Sequence, residues 1–202
     1  MLKLVDRIIH LINNRYVIHV KDIADLLNCD AKLVANMLHY LHKRGKIYRI
    51  RKGIYTTSKF IADPLVIASA IYYPSYISFE TALSIQNVID QIAATIEVAT
   101  TVEFPRTAKK IRINNTVINI YKIPPELMFG YRYRESKIIR GCYYYIAKPE
   151  KALLDYIYKK GDPRAIFTIN WEKINKKILK EFAKKYPLRI RKLLAEYISN
   201  NI

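Results

Sequence analysis

Apolar and polar positions alternate along this chain with a period that keeps changing, and each change predicts an element. Leu4, Val5, Ile8, Ile9, Leu11 and Ile12 fall on one helical stripe that ends near Asn13-Asn14. Tyr16–Val20 is short and β-prone. Lys21–Leu27 predicts a second helix, capped by Asp22, with Ile23, Leu26 and Leu27 turned inward. Asn28-Cys29-Asp30 then makes a tight turn into a third helix over 30–44. There Val34, Met37, Leu38 and Leu41 recur at i, i+3, i+4, i+7. Asp30 supplies an N-cap acceptor and Gly45 the left-handed residue that stops the helix. The segment 46–57 reads as a hairpin, with Ile47–Ile50 and Ile54–Thr57 joined by Arg51-Lys52-Gly53.

Helix, strand, helix, turn, helix, hairpin is the plan of a winged helix-turn-helix, and it predicts a first domain over residues 1–60. Residues 58–64 read as a linker. Beyond it the pattern mixes periods. Pro64 opens a helix to about Ile71, Tyr72-Tyr73-Pro74 breaks it, and Ser78 is placed to cap a helix over Phe79–Ile85. Ile96–Thr101, Lys110–Ile113, Val117–Tyr121, Phe129–Tyr133 and Ile138–Ile146 read as strands, with Asn114-Asn115 as a hairpin turn. A helix follows from Glu150 to about Tyr158, ended by Gly161-Asp162-Pro163. Asn170 is read as the cap of a last helical region, broken at Tyr186-Pro187. Residues 64–202 are thus expected to form a larger α+β domain, with an antiparallel or mixed sheet of about five strands flanked by helices and a basic helical C-terminal region.

Charge changes the picture more than composition does. An apolar fraction of 51% is ample for packed cores, whereas 35 basic against 17 acidic residues (+18) points to a polyanionic partner. From Ala31 to Ala62 there are eight Lys/Arg and no Asp or Glu. On the third helix Lys32, Asn36, His39 and Lys43 fall opposite the apolar stripe, with Tyr40 at the edge of that face and Arg44 at its end. Lys46, Arg49, Arg51 and Lys52 continue the charge onto the hairpin. The expected partner is duplex DNA, with the helix in the major groove. Asn36 is the expected base reader, since its amide can pair bidentately with adenine. Lys32 and Lys43 would reach guanine or phosphate, and Arg49, Arg51 and Lys52 phosphates or a minor groove. Residues 172–202 carry nine Lys/Arg against three Glu, so a second basic surface is available.

Other chemistry is thinly represented. Cys29 and Cys142 form no CxxC, and a reducing, cytoplasmic setting is the default. The N-terminal stretch mixes Lys3, Asp6, Arg7 and His10 into its apolar residues, unlike a secretory leader. All four histidines lie within the first 42 residues, so no histidine-dependent nucleophile is expected in the second domain. Cys29 with His39 and His42 is better read as polar surface than as a metal site. No P-loop or GxGxxG is present, and no cofactor is expected. Pro125-Glu126 followed by Glu135-Ser136-Lys137 loosely matches a PD-(D/E)xK nuclease, with Glu126 and Glu135 as metal carboxylates and Lys137 assisting. The bland reading is charge beside a turn. The 17 tyrosines could supply stacking platforms for single strands, though Tyr143-Tyr144-Tyr145 is also what sheet propensity favours.

A family resemblance gathers these readings. Tyr76-Ile77-Ser78-Phe79-Glu80-Thr81-Ala82-Leu83, the strand Ile96–Thr101, Arg106, and Ile146-Ala147-Lys148-Pro149-Glu150-Lys151-Ala152-Leu153-Leu154-Asp155 together resemble the AbiEi antitoxins of toxin–antitoxin systems. A wing of the type Arg51-Lys52-Gly53-Ile54-Tyr55 fits as well, and the likeness spans about residues 1 to 160. It implies a winged helix that represses the protein's own operon, and the DNA-binding reading predicts tight binding to its own upstream DNA, preferably at repeated half-sites. It also implies a larger domain that counters a nucleotidyltransferase-like toxin, without implying a stable complex. It implies no catalytic residues: by this resemblance the protein is not an enzyme. A metal-dependent nuclease, or a basic interaction protein gripping a toxin or RNA, are the competing readings.

Overall fold

The computed structural model describes residues 2–13, 15–162 and 168–200. Helix α1 (Leu2–Ile12) is followed by strand β1 (Ile18–His19), α2 (Val20–Leu27), α3 (Ala31–Lys43) and a hairpin of β2 (Ile47–Arg51) and β3 (Ile54–Thr57). The three strands form an antiparallel sheet in the order β1-β3-β2. Ile8, Ile12, Ile23, Val34, Leu38, Leu41 and Ile47 interdigitate beneath the helices as one apolar cluster. The stripe expected on α3 is buried as read.

Three local readings need correction. The strand expected at Tyr16–Val20 shrinks to Ile18–His19, because Val20 already opens α2. Asp22 lies in the first turn of α2 rather than at its cap, a position taken by His19 without a side-chain bond. Leu26, expected inside, is 55% exposed, since Ile23, Ala24 and Leu27 fill that face. The expected breakers Asn14 and Pro163 lie outside the described residues.

The segment expected as a linker is ordered. Ser58–Ile61 forms a short helix α4 that buries Phe60 in the larger core. Buried Asp63 caps α5 (Pro64–Ala68) through Leu65 N and accepts a bond of 2.5 Å from Ser136 Oγ. Tyr16 meets Phe60 edge-on at 4.9 Å, and its hydroxyl accepts from Tyr143 N at 3.2 Å.

The larger part is a six-stranded mixed sheet in the order β6-β7-β5-β4-β9-β8. Its strands are β4 (Ser75–Ile77), β5 (Ile96–Thr100), β6 (Lys110–Ile113), β7 (Thr116–Lys122), β8 (Tyr131–Glu135) and β9 (Tyr143–Ala147). The β4–β9 and β5–β7 pairs are parallel and the rest antiparallel. Asn114-Asn115 turns the β6–β7 hairpin as expected, with Asn114 at φ +51°. Strand β4, unforeseen in the sequence, lies within the sheet where Tyr76 and Ile77 are completely buried. Helices α6 (Phe79–Ile85), α7 (Pro149–Lys160), α8 (Lys176–Ala183) and α9 (Leu188–Asn200) complete this part, with α7 packed against α6, α8 and α9.

Ser78 sits at the N-cap of α6, yet its side chain does not cap it. Its hydroxyl donates instead to Asp155 Oδ2 at 2.7 Å, and Glu97 Oε2 accepts from Glu80 N at 3.1 Å, satisfying that turn from a neighbouring strand. Phe79, the first residue of the helix, holds φ +53°, a conformation that costs a bulky side chain about 1–3 kcal/mol. Its ring is fully buried and packs on Tyr121 at 4.6 Å, which fixes it there.

Asp155 organises the junction of β4, α7 and the C-terminal helices. It accepts from Tyr76 at 2.9 Å, Ser78 at 2.7 Å, Tyr186 at 2.7 Å and Lys151. Lys151 is fully buried, with its ammonium 4.9 Å from the Phe129 ring and 5.1 Å from Tyr186. Desolvation lowers its pKa while Asp155 pulls the other way. Gly130 must lack a side chain here: at φ +71°, an added Cβ would stand 2.9 Å from Phe182 and 3.2 Å from Lys151 Cβ. Glu150, where the sequence places the start of this helix, is buried and accepts from Asn175 N at 2.7 Å, anchoring the start of α8.

Candidate nucleic-acid interface

The α3 face is built by its two ends. Asp30 Oδ1 accepts from Leu33 N at 2.9 Å, fixing the first turn. At the other end Lys46 N reaches Leu41 O at 3.0 Å and Gly45 N reaches His42 O at 2.9 Å, the paired bonds of a Schellman stop. The chain therefore leaves α3 directly into β2. Burying Val34, Met37, Leu38 and Leu41 leaves Lys32, Asn36, His39, Tyr40, Lys43 and Arg44 exposed. Arg44 lies over the Tyr40 ring at 5.1 Å, so that these two side chains form one cationic, aromatic corner.

On the hairpin Lys46, Arg49 and Lys52 are exposed. The register shifts between Arg49 and Arg51, a bulge that turns the strand before the Lys52-Gly53 tip. Arg51 departs from the expected free wing cation: it is half-buried and its Nη1 donates to Tyr72 Oη at 2.6 Å. Among the described residues, none of these cations has a carboxylate within ion-pair distance.

Two neighbours were invisible in the sequence reading. A cavity of about 130 Å³ is lined by His42, Tyr48 and Arg49 on one side and by Arg112 and Asn114 of the β6–β7 hairpin on the other. The alternation Lys110-Ile111-Arg112-Ile113 signals that Arg112 points outward, but not that it stands beside the wing. Further along the sheet, Lys109, Lys110, Lys122 and Lys159 line a cleft of about 370 Å³ with Phe104 and Tyr121. Partial desolvation holds the Lys159 pKa below the ordinary lysine range, opposed by Asp155 and assisted by like charge on Lys109. This is a second basic surface, distinct from the C-terminal one expected.

The other candidates resolve differently. His42 Nδ1 faces Ile47 O at 3.1 Å and Cys29 Sγ donates to Leu27 O at 3.3 Å. Among the described residues no three His, Cys, Asp or Glu side chains are grouped to hold a metal ion. Of the nuclease set, Glu126 lies in the Pro125–Leu127 turn, while Glu135 accepts from Gly141 N at 2.9 Å inside the β8–β9 hairpin. Cys142 is buried. No described helix is long and apolar enough to cross a membrane.

Three helices, a three-stranded sheet and a basic hairpin after the third helix define a winged helix-turn-helix protein of mixed α+β architecture. Residues 6–57 match the family described as transcriptional regulator, AbiEi antitoxin, which bears out over that segment the resemblance read from the sequence. No curated protein matches the chain.

Proposed function

We propose that this protein is a cytoplasmic, DNA-binding autorepressor and antitoxin of a toxin–antitoxin operon. Residues 1–60 act as its DNA-binding domain and 64–202 as its antitoxin-type domain. The observation that carries this reading is the acid-free, exposed face of α3 continuing onto a basic wing, within a segment that matches an antitoxin-regulator family. Duplex DNA presents the complementary charge, and α3 has the dimensions of the major groove. Asn36 reads a base, Lys32 and Lys43 reach guanine or phosphate, and Arg49 and Lys52 neutralise phosphates. His39, Tyr40, Arg44 and Lys46 flank them. The family also supports a toxin as functional partner, of nucleotidyltransferase-like type by the resemblance. The chain itself performs no catalysis in this reading.

The test is titration of the full chain with the duplex upstream of its own reading frame, against scrambled duplex, over a range of salt. Asn36→Ala is expected to lose about 1–3 kcal/mol of preference for the upstream sequence while leaving scrambled-duplex affinity in place. Arg49→Ala with Lys52→Ala is expected to weaken both duplexes alike and to flatten the salt dependence by about two charges. Equal affinity of the unaltered protein for both duplexes sinks the operator reading.

A further inference from the structure

A roomier cavity than these two lies away from α3. It measures about 730 Å³, within the range of about 300–1,000 Å³ typical of small-ligand clefts. Its walls are the rings of Tyr16, Tyr73, Tyr133, Tyr143 and Tyr145, closed by the small side chains of Ser69 and Ala70. Tyr16 comes from the loop before β1, Tyr73 from the loop before β4, and the other three from the β8–β9 pair. The cleft therefore spans the seam between the winged helix and the larger sheet.

Sheet propensity explains why tyrosines occur on β8 and β9, but not why they gather around a void. Tyr133 stands opposite Tyr145 in the ladder, their rings 4.1 Å apart and their hydroxyls bonded. Tyr73 approaches Tyr145 at 6.3 Å. Tyr73 is 67% exposed, Tyr133 64% and Tyr143 43%, so three large rings are left facing solvent. Their hydroxyls add donors and acceptors around an apolar interior.

Among the described residues, no charged side chain lines the cavity. Cations lie beside it in the chain: Arg15 precedes Tyr16, and exposed Lys137 and Arg140 sit in the loop that leads to Tyr143. The acid of that hairpin, Glu135, accepts from Gly141 N. A neutral planar group inside and an anion at the edge is the pattern this arrangement matches. Duplex DNA does not offer it, because its bases are stacked on one another.

We propose that the cleft binds single-stranded nucleic acid, with the tyrosine rings stacking on unpaired bases and the neighbouring cations meeting the phosphates. An acidic protein segment fits less well, since its carboxylates would enter a cavity that no cation among the described residues lines. The site is separate from the α3 face and does not depend on operator recognition.

The test uses the full chain with fluorescently labelled oligothymidylate, and an abasic oligomer of equal length as a probe with the same charge but no bases. The unaltered protein is expected to bind oligothymidylate at least about tenfold more tightly than the abasic oligomer. Tyr73→Ser with Tyr133→Ser removes two exposed rings and leaves both apolar cores untouched. It is expected to erase that difference while keeping the affinity for upstream duplex. If the unaltered protein binds both oligomers alike, or the double variant keeps the preference for bases, the proposal is overturned. The tyrosine face is then left to a protein partner.

Discussion

Lys32 and Lys43 of α3 and Lys151 of α7 are the same residue type put to opposite uses. Lys32 and Lys43 stand in water without a carboxylate partner among the described residues, on a helix face from which every acid is missing. Lys151 has no contact with water at all; it is tied to Asp155 and Tyr186 and ringed by aromatic side chains. A charge that folding leaves unpaired is available to something outside the molecule. One that folding buries must be answered within it, because desolvating an ammonium costs several kcal/mol. The two regions thus separate recognition from architecture.

The sharpest way to break this contrast is to remove the internal partner. Asp155→Ala leaves Lys151 buried and uncompensated and takes the acceptor from Tyr76, Ser78 and Tyr186. It is expected to cost about 3–5 kcal/mol, read as a lowered urea midpoint. A loss of less than about 1 kcal/mol would mean that the junction is not held by this carboxylate.

A smaller effect follows from pH. Burial, with Asp155 adding its negative charge, raises the pKa values of Tyr76 and Tyr186 well above the usual 10.0. The unfolded chain therefore releases these protons first, and the stability they contribute is whole below about pH 10 and lost as pH rises toward the folded-state values. Lys151 works in the other direction: its lowered pKa is a cost that fades as pH approaches 10.5. Two tyrosines against one lysine should give a net loss, measured as a lower urea midpoint at pH 11 than at pH 9. Tyr76→Phe should shrink that difference. The smallest effect belongs to the other side of the contrast. Lys32→Ala with Lys43→Ala should change stability by no more than about 0.5 kcal/mol in the same assay, since neither side chain holds the fold.

The same division explains what could be read from the residues in order. Helix α3 was legible because its stripe, its Asp30 cap and its Gly45 stop are all local, and local bonds satisfy them. Strand β4 was not, because three residues buried within a sheet show no period. Ser78 looked like a cap; its hydroxyl answers to Asp155, 77 positions away, and nothing nearby announces that. Glu150, Lys151 and Asp155 fall in a helix that was expected, but nothing local marks them as the buried residues that tertiary packing makes of all three. At the interface, exposure of the α3 side chains followed from the apolar stripe. The capture of Arg51 by Tyr72 and the placing of Arg112 beside Arg49 arise from chain segments brought together only by folding.

That bond between Arg51 and Tyr72 gives the hairpin a foothold outside its own sheet. Tyr72 in turn lies flat against Phe104, at 5.4 Å, on the wall of the lysine cleft. The tip is thus cantilevered from the larger body rather than hinged on α3 alone. A ligand that tilts Phe104 would alter the angle at which the tip projects, and a phosphate that draws Arg51 away would loosen the strut from the other end.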